Sequence, residues 1–122
     1  MPARPLIGIT LSGTMRSLSF SVHEVHQTSS VDHVVIYRAV LELSGEAGPV
    51  KVDMVSVEPP EASARDVQQA IEYARRGAER ALDGRGGILH LSEFVIHPVD
   101  FDPRKVEAYT FREISGLIKS AG

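Results

Sequence analysis

The chain has 122 residues, 43% of them hydrophobic and 24% charged, and a formal net charge of −3. This length predicts a single domain over residues 1–122, and the acidic balance argues against sequence-independent binding to nucleic acid or to anionic membranes. Because the chain has no cysteine, disulfides, thiolate metal sites and a cysteine nucleophile are excluded.

Alternating apolar and polar residues predict strands in the first third of the chain. Leu6–Ser12 and Ser17–Val25 alternate on either side of Gly13, which is the pattern of a hairpin with one buried face. His33–Leu43 is ambiguous between helix and strand, and its run of β-branched residues favours a strand.

The middle of the chain predicts a strand followed by a helix. Gly45–Pro49 breaks the chain, and Val50–Val57 alternates again until two prolines end the strand. Ala64–Leu82 places apolar residues at spacings of three and four, as on one helical face, and Gly84 is a natural left-handed cap. The apolar positions are Val67, Ala70, Ile71, Ala74, Ala78, Ala81 and Leu82.

The last third predicts a turn, a strand and a second helix. Gly84–Gly87 is expected to be a turn, and Ile88–Ile96 a central strand covered on both faces or at an interface, because its apolar residues occupy both parities. Asp102 is expected to cap a helix that begins at Pro103. The apolar stripe of that helix is Val106, Tyr109, Ile114, Leu117, Ile118 and Ala121.

This order of elements predicts a two-layer α+β domain in which two helices pack on one face of a mixed β-sheet. A free apolar face would be costly in so small a domain, so we expect a second subunit to cover part of it.

Nothing in the sequence predicts contact with a membrane. No apolar run reaches the roughly 18 residues that a membrane span needs, and Met1 to Pro5 lack the pattern of a secretory signal. We therefore expect a soluble protein of the cytoplasm.

Five histidines are candidates for acid–base chemistry, because histidine titrates near neutral pH. His23 and His26 have the spacing of a metal-binding pair on a helix, but on a strand that spacing places the two rings on opposite faces. We therefore expect no metal site there.

His97 follows the predicted central strand directly and precedes an acidic loop. With Asp100 or Asp102 in reach, it could work as a general acid or base. Alternatively, His97 bonds the loop backbone and Asp102 is only a helix cap. Arg104 and Lys105 lie in the first helical turn, where an anionic ligand would stabilise them, although salt bridges to nearby carboxylates would do the same.

From Phe94 onward, the sequence FVIHPVDFDPRKVEAYTFREISGLIKSA resembles the carboxy-terminal part of the formaldehyde-activating enzymes, which condense formaldehyde with tetrahydromethanopterin. In that family a buried strand ends in Ile-His-Pro, followed by an aspartate, a basic pair and an aromatic segment within a helix. The matching positions here are Ile96, His97, Pro98, Asp102, Arg104, Lys105, Tyr109, Phe111, Ile118, Lys119 and Ala121, with Thr110 in place of the family's asparagine.

The resemblance implies the fold of the second domain of ribosomal protein S5, with a left-handed βαβ crossover, and a homo-oligomer. It implies a lyase-type condensation in which a reduced pterin is a substrate and no cofactor is tightly bound. The implied catalytic residues are His97 and His23, the latter brought into register with the family's acid–base histidine by an insertion of about three residues. The implied ligand-binding residues are Asp102, Arg104, Lys105 and Tyr109.

A second hypothesis is a non-enzymatic binding module of the same architecture, which also occurs in ribosomal proteins and in the fourth domain of elongation factor G. An RNA-facing patch would use the basic residues Arg75, Arg76, Arg80, Arg85, Arg104 and Lys105. The net acidity and the 6% aromatic content make nucleic acid the less favoured partner. A third hypothesis is an inactive oligomeric paralogue.

Overall fold

The computed structural model describes residues 16–27 and 32–121, which form five strands and two helices. The predicted strand Leu6–Ser12 and its turn at Gly13 lie outside the described residues. In chain order the elements are β1 (Arg16–His26), β2 (His33–Ala47), β3 (Val50–Met54), β4 (Val57–Glu58), α1 (Ala64–Leu82), β5 (Arg85–Val95) and α2 (Pro103–Ala121). The predicted α+β class is confirmed, and neither helix is long and apolar enough to span a membrane.

The five strands form one mixed sheet in the order β1-β2-β5-β3, with the short β4 also paired to β5. The β1–β2 and β2–β5 pairs are antiparallel, whereas β3 and β4 pair with β5 in parallel. Helix α1 makes the connection between the parallel strands, as a parallel pair requires. The predicted central position of β5 is therefore confirmed.

Both helices pack against the same face of the sheet and against each other. Alternate residues of each strand point toward them, and these are the buried ones, for example Tyr37, Ala39 and Leu41 in β2. The helices meet closely because Gly77 of α1 leaves room for the backbone of α2. The opposite face of the sheet, which we call the open face, carries Ile36, Arg38, Val40, Glu42, Lys51, Asp53, Ile88 and His90, all exposed or half-buried.

The predicted elements differ from the observed ones mainly near glycines. β2 extends to Ala47, so the break begins later than predicted. The predicted turn at Gly84–Gly87 is confirmed only at Gly84, because β5 begins at Arg85 and both Gly86 and Gly87 are buried within it. A Cβ on Gly87 would lie 2.6 Å from the carbonyl oxygen of Glu42, so this glycine serves the close approach of β2.

The mixed parity of apolar residues in β5 comes from a bulge. Glu93 has a positive φ of 51°, and Ile36 and Arg38 of β2 pair with Val95 and Ser92, so three steps on β5 oppose two on β2. Leu91 before the bulge and Phe94 after it therefore both face the core. Burial on both faces of β5, which we predicted from the parity, is not needed to explain the pattern.

The ends of both helices follow the sequence closely. The Ser63 side chain accepts a hydrogen bond from the backbone N–H of Asp66 and begins α1, while Asp83, at φ 50°, takes the left-handed position that ends it. Gly84 also has a positive φ, of 95°. At α2, an Asp102 carboxylate oxygen accepts from the N–H of Arg104 at 3.0 Å, which confirms the predicted cap.

Candidate functional site

A histidine on the open face lies between two carboxylates from neighbouring strands. His90 on β5 is directly opposite Asp53 of β3, and its Nδ1 is 3.0 Å from an Asp53 carboxylate oxygen. Its Nε2 is 3.3 Å from Oε1 of Glu42 on β2. Three adjacent strands thus each supply one residue, and we call Glu42, His90 and Asp53 the open-face triad.

The geometry of the open-face triad favours the charged form of the histidine. An ionised carboxylate only accepts hydrogen bonds, so both contacts are satisfied together only when both ring nitrogens carry a proton. The hydrogen bond that His90 donates to Asp53, and next the one that it donates to Glu42, raise the pKa of His90 above its usual value, while burial acts in the opposite direction. His90 is therefore suited to give a proton to a ligand near neutral pH.

An open recess of about 320 Å³ adjoins the open-face triad. Glu42 belongs to both, because its carboxylate contacts His90 and its side chain lines the recess. Ile88 supplies an apolar surface, and Lys51 and Glu46 add one charge of each sign. A site that combines an apolar surface with a few polar groups is typical of small-molecule binding.

His97 is held by the loop that follows it. Its Nδ1 accepts hydrogen bonds from the backbone N–H groups of Val99 at 3.2 Å and Asp100 at 3.0 Å. An Asp100 carboxylate oxygen lies 3.9 Å from the same nitrogen. Because Nδ1 already accepts two backbone hydrogen bonds, Nε2 is the ring nitrogen left to contact a ligand.

The residues implied as ligand-binding lie around the start of α2. Arg104 is highly exposed and its Nε is 3.9 Å from the Asp102 carboxylate that caps the helix. Lys105, half-buried, has no ion pair with a described residue. The Tyr109 hydroxyl points instead toward β2, 2.6 Å from Nε2 of His33.

His23 lies on the open face of β1, opposite Ile36, and lines a second recess of about 280 Å³ with Arg38 and Glu93. His97 follows the end of β5, and no hydrogen bond or ion pair joins it to His23 among the described residues. The two implied catalytic histidines thus belong to separate surroundings.

A further histidine pair lies where β1 ends and β2 begins. His26 stacks on His33 with ring centroids 4.6 Å apart, and His33 in turn contacts Tyr109. The hydrogen bond from His26 lowers the pKa of Glu24, which also pairs with Arg112 of α2. The contacts of this cluster hold the β1–β2 hairpin against α2.

The sequence analysis counted His90 among five candidate histidines without singling it out, and it missed both carboxylates beside it. Each member of the open-face triad occupies a polar position of an alternating strand, which was the available signal. Alternation shows which face a residue occupies, but not which residues of other strands lie next to it. No cluster of three metal-ligating side chains with suitable geometry occurs among the described residues.

A scan of the chain against models of known protein families found no match, and a search of curated proteins found none either.

Proposed function

We propose that this chain is a formaldehyde-activating-enzyme-like protein that binds a reduced pterin, such as tetrahydromethanopterin, on its open face and condenses it with formaldehyde. The observation that carries the proposal is His90, held between Glu42 and Asp53 beside a recess large enough for a small ligand. The resemblance of residues 94–121 supplies the identity of the one-carbon carrier.

The proposed reaction needs a group that both gives and takes a proton. One ring amine adds to the carbon of formaldehyde, and its proton passes to the oxygen, which gives a carbinolamine. His90 then protonates the hydroxyl, which leaves as water. The second amine attacks the resulting iminium carbon and returns its proton to His90, so the histidine is regenerated.

The contact between His90 and Glu42 is the one we expect the substrate to replace. At 3.3 Å it is longer than the 3.0 Å contact to Asp53. Asp53 would keep Nδ1 protonated and orient the ring, while Nε2 turns to the leaving hydroxyl. In this scheme Asp53 is a positioning residue.

We propose further that the fold is that of the second domain of ribosomal protein S5, with a left-handed β3-α1-β5 crossover, and that the protein is a homo-oligomer. The order of elements and the placement of both helices on one face support the fold. A second copy beside the open face would shield the triad from water, which strengthens its electrostatic interactions.

Ion pairs weigh against an RNA-facing patch. All five arginines of the basic set already contact a carboxylate or a carbonyl of the chain, so less positive charge is available to phosphates. The contacts are Arg75 with Glu72 and Glu79, Arg76 with Glu72, Arg80 with Glu107, Arg85 with the Leu82 carbonyl and Arg104 with Asp102.

The test is the rate of formaldehyde condensation with tetrahydromethanopterin, and separately with tetrahydrofolate, followed by absorbance with and without the protein. We expect acceleration by the wild type, and His90→Gln to reduce it by about 100-fold or more, a typical contribution of general acid–base catalysis. Arg65→Gln, which changes an exposed charged residue of α1 on the other side of the sheet, is the matched control and should keep the acceleration.

His23→Ala and His97→Ala complete the series. If acceleration survives in His90→Gln and is lost in one of these, the acid is that histidine and our assignment is wrong. If the folded wild type gives no acceleration with either carrier, the enzyme proposal fails in favour of a binding module or an inactive paralogue. RNA binding that weakens steeply with salt would then identify the former.

A further inference from the structure

We infer that the recess beside the open-face triad recognises the 2-amino-4-oxopyrimidine edge of its ligand, with Glu42 and Lys51 as the specificity-determining residues. This inference rests on the proposed function and specifies which part of the substrate binds in the recess. Neither residue was implied by the resemblance of the C-terminal residues.

Three residues form a row across the open face. Ile88 of β5 is paired with Glu42 of β2 on one side and with Lys51 of β3 on the other. With neighbouring strands about 4.8 Å apart, the outer two Cα atoms are separated by roughly 10 Å. A flat heterocycle lying over Ile88 would therefore have a carboxylate at one side and an ammonium group at the other.

The charges in this row are available to a ligand. The carboxylate of Glu42 contacts His90 through Oε1 only, and Oε2 has no hydrogen bond to the described residues. Lys51 is exposed and forms no ion pair within the described ranges 16–27 and 32–121. Gly48 also lines the recess and has no heavy atom within 4 Å of an added Cβ, so this part of its wall is open to a ring.

The polarity of the row fits one edge of a pterin. The 2-amino group and the ring N3 of a pterin present two adjacent N–H donors, which match a carboxylate in bidentate geometry. The neighbouring 4-oxo group is an acceptor, which suits the point charge of a lysine. His90 does not line the recess but lies two residues farther along β5, roughly 7 Å from this row, so we place the second ring on that side, outside the recess.

The test is binding of oxidised pterin, which cannot condense with formaldehyde, to the full chain by fluorescence polarisation. Lumazine, which has an oxo group in place of the 2-amino group, is the second probe and should bind about 10-fold more weakly or worse, because a charged hydrogen bond is lost. Lys51→Met should weaken pterin binding to a similar extent. Arg65→Gln, at an exposed position of α1 on the other side of the sheet, should leave it unchanged.

The inference is overturned if pterin and lumazine bind equally, if Lys51→Met binds pterin as the wild type does, or if neither probe binds the folded protein. Guanosine carries the same edge, and tighter binding of guanosine than of pterin would overturn the pterin assignment. Because binding is read without turnover, pterin selectivity without accelerated condensation would contradict only the proposed function. Accelerated condensation without selectivity would contradict only this inference.

Discussion

The stability of the folded protein depends on the protonation of His90. Its pKa is raised in the folded protein by Asp53 and Glu42, so the imidazolium is favoured more in the folded than in the unfolded chain. This contribution is complete below the unfolded pKa of about 6.5 and is lost as pH rises through the higher folded pKa.

We therefore expect the stability advantage of the wild type over His90→Gln to be larger at about pH 6 than at about pH 9. Thermal unfolding of both proteins at the two pH values measures it. All other ionisable groups are common to the two proteins, so the difference isolates His90. An advantage that grows toward high pH would contradict the charged triad.

Thr110 shows what sequence analysis misses at this scale. In the sequence, Thr110 differs from the asparagine that the formaldehyde-activating enzymes have at this position, and nothing else distinguishes it. In the structure its side chain is fully buried, and its Oγ1 lies 2.6 Å from the hydroxyl of Tyr37. Burial raises the pKa of Tyr37, which therefore stays neutral as a hydrogen-bonding partner. The alternation of β2 places Tyr37 inside, but its partner lies 73 residues away and no local pattern reveals it.

At the scale of elements, the contact between the two helices depends on one glycine. A Cβ on Gly77 would lie 2.5 Å from the backbone oxygen of Glu107 and 3.0 Å from Cβ of Thr110. Backbone atoms cannot turn away as a flexible side chain can, so the helices would have to separate.

We expect Gly77→Ala to lower the free energy of unfolding by about 1–3 kcal/mol, the usual cost of overpacking. Gly116→Ala is the matched control, because that glycine is exposed in α2 with no heavy atom within 4 Å of an added Cβ. It should stabilise by about 0.5–1 kcal/mol through helix propensity. Denaturant titrations compare the two, and a stabilised Gly77→Ala would refute the close-contact account.

Most element boundaries followed from local rules. The bounds of α1 and the start of α2 match the predicted ones, because both are set by periodicity and capping residues. The errors at Gly86 and Gly87 arose because glycine permits a turn and also permits close approach of two strands. Only the neighbouring strand distinguishes these cases.

At the scale of the whole molecule, the open face is the surface we expect a second copy to share. Val40, 39% exposed, lies there next to the charged residues of the triad, whereas Val99, 82% exposed, lies on the loop after β5. Burial of Val40 in an interface would be disrupted by a charge.

We therefore expect light scattering to give a mass above that of one chain, and Val40→Asp to shift it toward the monomer and to slow the condensation. Val99→Asp should change neither quantity. If the wild type is a monomer, or if Val40→Asp leaves the mass of the oligomer unchanged, the open face is not the interface.

The candidate site was less predictable than the fold, for a reason of scale. The resemblance of residues 94–121 predicted a site at the start of α2, where the implied ligand-binding residues are close in sequence. The open-face triad joins residues 42, 53 and 90, which meet only because β5 lies between β2 and β3. That strand order is a property of the complete sheet.

The extra residue at Glu93 acts on β5 as a frameshift acts on a coding sequence. Up to Leu91 the odd-numbered residues face the core, and from Phe94 the even-numbered ones do. Removing one residue here would leave the composition of the strand nearly unchanged but would exchange the sides of Phe94 and Val95. Any alignment of this strand with a relative must therefore place its gap correctly at this point, since an error of one residue would assign every later side chain of the strand to the wrong face.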